Sequence, residues 1–163
     1  MKGRSQSGYQ QNKIWLNDGT GHFSDVANYV ADSENYDSRS VALADLWNRG
    51  VLDVIVANQN NNLLVYKNNV NPENHWIAFA LEGSRSNRSA IGSIIELYWD
   101  SKIQSQVITG GIGFSSQNQR RLQFGLGKSP KVDKAVIFWP NGDKQIIYNP
   151  EVDKLNIIKE MKR

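Results

Sequence analysis

Two aspartates, Asp45 and Asp53, stand either side of Gly50 in the stretch ALADLWNRGVLD. A cation-binding loop uses this kind of spacing. It sets side-chain oxygens at alternate positions, a glycine at its sharp turn and a closing carboxylate, and Ca²⁺ asks for about 6–8 oxygens. With Asp45 as the first ligand, the third position is Trp47, which has no oxygen, and the fifth is Arg49, which carries a positive charge. The pattern predicts the backbone shape of such a loop without its ion, hence no metal and no cofactor, calcium included. A guanidinium presents a fork of donors that suits carboxylates, so Arg49 is expected to fold inward and bridge Asp45 and Asp53. Trp47 is expected to pack in the core or against a neighbouring module, with an exposed loop tip as the alternative.

A second set of residues is polar and lies further along. Arg85, Asn87 and Arg88 fall in a short link between two strand-like runs. Ser115, Ser116, Gln117 and Asn118 fall in another, followed by Arg120 and Arg121. If the strand ends meet, Arg85, Asn87, Arg88, Ser116, Gln117, Asn118 and Arg120 are the candidates to line one ligand-binding groove. Planar hydrogen-bonding groups beside an aromatic such as Phe114 suit sugars, carboxylates or a peptide backbone. The same residues also suit plain turn-tying, with Asn87 bonded to backbone, the arginines paired with Glu82 or Glu96, and SSQNQ holding down its own loop.

No catalytic set assembles in the sequence. There is no cysteine, so thiol nucleophiles, disulfides and thiolate metal sites are excluded. The two histidines, His22 and His75, fall one in each half of the chain, and no GxSxG elbow occurs. Asp45 with Asp53, or Glu96 with Asp100, are conceivable glycosidase pairs, but nothing in the sequence places either around a cleft. The FGLG at 124–127 lacks the lysine and following helix of a phosphate loop. Arg120 and Arg121 with Lys128, Lys131 and Lys134 form the most basic stretch. Asp133 interrupts it and few aromatics interleave it, so no nucleic-acid partner is expected.

The elements that must position these residues read as β throughout. LLVYKN (63–68), HWIAFALEG (75–83), IIELYW (94–99) and KAVIFW (134–139) are rich in β-branched and aromatic residues, and IQSQVIT (103–109) alternates apolar with polar. KIWLN, VALAD, DVIVAN, RLQFG, KQIIY and KLNIIKE add further candidates, and no segment carries a helical stripe. Asn141-Gly142, between KAVIFW and KQIIY, signals a tight hairpin because both residues accept positive φ. Composition shifts at VNPEN (70–74). Residues 1–70 carry 6 Lys/Arg against 7 Asp/Glu, and residues 71–163 carry 13 against 9. The expectation is an all-β chain in two parts, short strands over 1–70 and a β-sandwich-like domain over 71–163. No apolar run is long enough to span a membrane as a helix, and the N-terminal stretch is not a signal peptide.

At these residues a resemblance can be stated. NKIWLNDGTGHFSDV (12–26) and VALADLWNRGVLDVIVANQNNNLLVYKN (41–68) resemble FG-GAP/VCBS repeats of integrin-like β-propellers, the first as a closing hairpin and the second as the start of the next repeat. GSRSNRSAIGSII (83–95), GFSSQNQRRLQFGLGK (113–128) and VIFWPNGDKQ (136–145) resemble the ASPIC/UnbV domain. The resemblance implies a partial propeller-type repeat followed by an ASPIC/UnbV-like β domain. It also implies a secreted or cell-surface setting. Repeats of this type usually bind Ca²⁺ at positions that correspond here to Asp45, Trp47, Arg49 and Asp53. Only the two aspartates match, so calcium is not carried over. Ser89 stands where the family usually has an acidic residue, and Ser93 where it has alanine. The function implied is a non-catalytic extracellular binding or adhesion module for a protein partner. The alternatives are a carbohydrate-binding module and an enzyme-accessory or catalytic β domain. An apolar patch on the repeat part, including Trp15 or Trp47, would serve a protein partner or self-association.

Overall fold

The structure, a computed structural model, describes residues 10–30 and 35–162. Its strands fall where side chains alternate or β-branched residues cluster. In the first part, β1 (Trp15–Asn17) and β2 (Phe23–Asp25) form an antiparallel hairpin across the NDGTG turn. A single helical turn follows, α1 (Ala27–Val30), started by the Asp25 carboxylate accepting the Ala27 N–H at 3.1 Å. The strands β3 (Ser38–Ala44), β4 (Asp53–Asn58) and β5 (Leu64–Tyr66) make an antiparallel three-stranded sheet. The loop 45–52 therefore joins two hydrogen-bonded neighbours, with Ala44 paired to Asp53.

The second part is a sandwich of two sheets. One is built from β7 (Ile94–Trp99), β8 (Lys102–Val107), β10 (Lys134–Phe138) and β11 (Lys144–Tyr148), in the order β11-β10-β7-β8. The other contains β6 (His75–Glu82), β9 (Leu122–Gly127) and β12 (Leu155–Lys159), in the order β12-β6-β9, with β12 parallel to β6. Alternation decides what faces inward. Ile95, Leu97 and Trp99 of β7 and Leu122, Phe124 and Leu126 of β9 are buried, together with Ile77, Phe79, Ala135 and Ile137. Phe79 meets Phe124 edge to face, with ring centroids 6.1 Å apart.

The Asn141-Gly142 hairpin forms with one difference from the sequence reading. Gly142 alone takes positive φ, at 89°. Its N–H bonds to the Trp139 carbonyl at 2.9 Å, and the Trp139 N–H bonds to that of Asp143 at 2.9 Å. Pro140 presets the first turn residue to negative φ, so the turn leaves only its glycine in the left-handed region.

The two parts are docked. Segment 118–119 runs beside β3. The Gln119 N–H reaches the Leu43 carbonyl at 3.0 Å, the Asn118 Oδ1 accepts the Leu43 N–H at 2.9 Å, and the Gln119 Oε1 accepts the Asp45 N–H at 2.9 Å. Trp76 of β6 lies directly on the loop's Gly50. A Cβ at Gly50 would come within 1.9 Å of its indole, and Gly50 has φ of 80°.

Candidate functional site

The loop between β3 and β4 keeps a cation, but as part of its own chain. Asp53 is fully buried. Its Oδ1 accepts the Arg49 Nη2 at 2.6 Å and the Asn68 N–H at 2.9 Å, and its Oδ2 accepts the Leu46 N–H at 3.3 Å. Arg49 also donates Nη1 to the Asn68 carbonyl at 3.0 Å, while its buried Nε has no partner among the described residues. Asp45 is held by donors of another kind. Its Oδ1 takes the Arg49 N–H at 2.8 Å, and its Oδ2 takes the Gly50 N–H at 2.7 Å and the Gln123 Nε2 at 3.2 Å.

The expected bridge from Arg49 to both aspartates is thus corrected to a single pair with Asp53. Asp45 already takes the Arg49 and Gly50 amides and the Gln123 side chain, and the guanidinium goes to Asp53, which also accepts the Leu46 and Asn68 N–H groups. A calcium ion does not fit this donor set, because both carboxylates face N–H donors and Arg49 occupies the ion's side of Asp53. Trp47 is half exposed rather than buried. It is flanked by the Arg49 guanidinium at 5.2 Å and the Lys67 Nζ at 5.5 Å from its ring centre. Two cations on an exposed indole satisfy it at the surface. Among the described residues, no three His, Asp or Glu side chains are grouped to hold a metal.

The polar residues of the second part divide. The loop 83–92 between β6 and β7 closes around Glu160, just beyond β12. The Glu160 Oε2 accepts the N–H groups of Ser84, Arg85 and Ser86, each at 2.8 Å, and its Oε1 accepts Ser86 Oγ at 3.0 Å and Asn141 Nδ2 at 2.9 Å. Burial alone would raise this carboxyl, but the amides of Ser86, Arg85 and Ser84 and the Ser86 hydroxyl together outweigh it and bring the pKa down to about 2. Sequence reading missed Glu160, because nothing local marks a glutamate at the end of a strand as the partner of a loop so far back in the chain.

Within that loop, Asn87 bonds the Ile91 carbonyl at 2.8 Å and accepts the Ile91 N–H at 2.9 Å. Arg85 pairs with Asp143 at 2.6 Å rather than with Glu82 or Glu96, and Glu96 instead accepts the Tyr98 hydroxyl at 2.7 Å. Ser116 closes its own turn onto the Ile112 carbonyl at 2.6 Å, and Asn118 is committed to Leu43. Gln117 is exposed, as is Phe114.

One residue from each predicted link, Arg88 and Arg120, does share a groove. Arg88 and Arg120 line an open cleft of about 530 Å³ with Leu81, Glu82, Ser89 and Arg121. Arg120 donates to the Ser89 hydroxyl at 2.8 Å, so a direct bond links the two loops. Arg88 lies 3.7 Å from Glu82, and Arg121 donates to Asn48 Oδ1 at 2.6 Å. Ser89 is neutral, so this bond leaves the charge of the Arg120 guanidinium uncompensated.

The repeat part presents a different surface. Trp15, Leu16, Phe23, Val41, Leu63 and Val65 are all exposed. A cavity of about 700 Å³, lined by Ile14, Val41, Val54, Val56 and Tyr66 among others, opens along its sheet. No helix among the described residues is long and apolar enough to cross a membrane.

Comparison with known families matches residues 83–163 to the ASPIC and UnbV family and residues 5–56 to an FG-GAP-like repeat. No curated protein matches the chain.

Proposed function

Because residues 83–163 are an ASPIC/UnbV domain and residues 5–56 an FG-GAP-like repeat segment before it, we propose that the chain is a non-catalytic binding module that recognises a protein partner outside the cell. The observation that carries this reading is the apolar surface of the repeat part. Trp15 is 58% exposed and Leu16 62%, and both lie on a hairpin whose third strand residue, Asn17, is also exposed. Val41 adds to it on β3, on the sheet face where Val54, Val56 and Tyr66, with Ile14, line an open cavity. Exposed apolar side chains around an open apolar cavity favour a protein surface, which can bury them. Of the residues that would line a sugar groove, Arg85, Asn87 and Asn118 are bonded within the fold.

The test is to present the chain, in parallel, to an array of extracellular proteins and to a glycan array. The reading expects a protein signal that Val41→Lys or Leu16→Ser abolishes, with the fold intact by circular dichroism. A glycan signal with a blank protein array would overturn it.

A further inference from the structure

Resting on the protein-partner reading above, we propose that the cleft beside the end of β6 binds an extended acidic peptide segment of that partner. The cleft arises from a divergence of strands. β6 and β9 pair from His75 with Gly127 to Phe79 with Leu122. Beyond that pair the chain of 119–121 leaves for β3, where the Gln119 N–H bonds to Leu43. Residues Ala80, Leu81 and Glu82 continue without a partner on that side and form one wall of the groove.

Backbone direction alternates along a strand. Ala78 and Glu82 bond toward the β12 side, through the Lys154 carbonyl and the Glu160 N–H, and Gly83 bonds back on the opposite side to the Arg88 carbonyl. Leu81 therefore turns its N–H and C=O into the groove, where no described residue meets them. An extended peptide satisfies such a pair as a strand would.

Charge selects the peptide. Arg88 and Arg120 line this space against one carboxylate, Glu82, while Arg121 lines it too but turns its guanidinium to Asn48. Arg120 and Arg121 are bonded only to the neutral Ser89 and Asn48, and Lys159, at 3.9 Å from Glu82, adds a further cation at the rim. Fork-shaped donors flanking a free backbone pair suit a segment with acidic side chains on either side of its paired residue.

The experiment is an NMR titration of the ¹⁵N-labelled full chain with acetyl-Glu-Val-Glu-amide, acetyl-Gln-Val-Gln-amide and a glucuronate-containing tetrasaccharide, each to millimolar concentration. Before any ligand is added, the Leu81 amide should exchange with solvent faster than those of Ala80 and Glu82. The acidic peptide should shift the Leu81 and Arg120 signals and slow Leu81 exchange, and the neutral peptide should bind more weakly. Arg120→Gln, which keeps a donor toward Ser89, and Arg88→Gln should each weaken the acidic peptide by up to about fivefold, the worth of one partly exposed ion pair. Silence at Leu81, an equal response to the neutral peptide, or a response to the saccharide alone would overturn the assignment. Peptide shifts confined to β3 and β5 would also overturn it, while leaving the protein-partner reading standing.

Discussion

Replacing Glu160 with glutamine isolates a buried carboxylate held by a cluster of donors. The carboxylate is 3% exposed and accepts five hydrogen bonds, three of them from consecutive backbone amides of residues 84–86. Desolvation opposes its charge, but these donors win and hold its pKa near 2 against an ordinary 4.5. A carboxyl depressed in the folded state makes its full contribution above the unfolded value. That contribution falls away as pH drops from about 4.5 toward 2. The depression is worth about 3 kcal/mol at neutral pH.

Glutamine preserves one acceptor for the three amides but turns its NH₂ toward Asn141 Nδ2, leaving two donors facing each other. Glu160→Gln should therefore lose about 2–3 kcal/mol at pH 7, a fall in Tm of about 5–10 °C for a chain of this length. Urea unfolding at a series of pH values is the assay. The gap between wild type and variant should stay constant from pH 7 to 5.5 and narrow by about 1 kcal/mol at pH 3.5, because only the wild-type carboxylate titrates. A variant as stable as wild type at pH 7, or a gap indifferent to pH between 7 and 3.5, would refute the reasoning.

The remaining predictions concern the loop and its docking. Arg49→Ala strips the cation from the fully buried Asp53 and should cost about 2–3 kcal/mol by thermal or urea unfolding. Wild-type stability, by contrast, should be indifferent to chelator. A fall in Tm with chelator that Ca²⁺ reverses would show that a metal, not Arg49, holds the loop. Gly50→Ala should destabilise by at least about 1–2 kcal/mol from its φ of 80° alone, and more because its Cβ would meet the Trp76 indole. Trp76→Ala in the Gly50→Ala background should recover part of that loss, and strict additivity of the two changes would count against the contact.

Much of this was legible without coordinates, because local pattern carries it. DVIVAN, IIELYW and KQIIY became β4, β7 and β11 at their expected bounds, since β-branched and alternating residues specify a half-buried strand through contacts made along its own length. The residues that changed role did so through partners distant in sequence. Asn118 became a docking residue for β3, Arg85 went to Asp143, and Trp47 came to the surface between two cations.

The sequence by itself determined the all-β class, the two family resemblances and a loop frame of Asp45, Gly50 and Asp53 in which Trp47 and Arg49 displace metal ligands, because each depends on residue types a few positions apart. Only the tertiary structure decided that the Arg49 guanidinium serves Asp53 alone, that three backbone amides close on Glu160, and that Arg88 and Arg120 line one cleft with Leu81. A hydrogen bond or ion pair between distant segments leaves no periodicity in either one. It exists only when the sheets bring the two ends together.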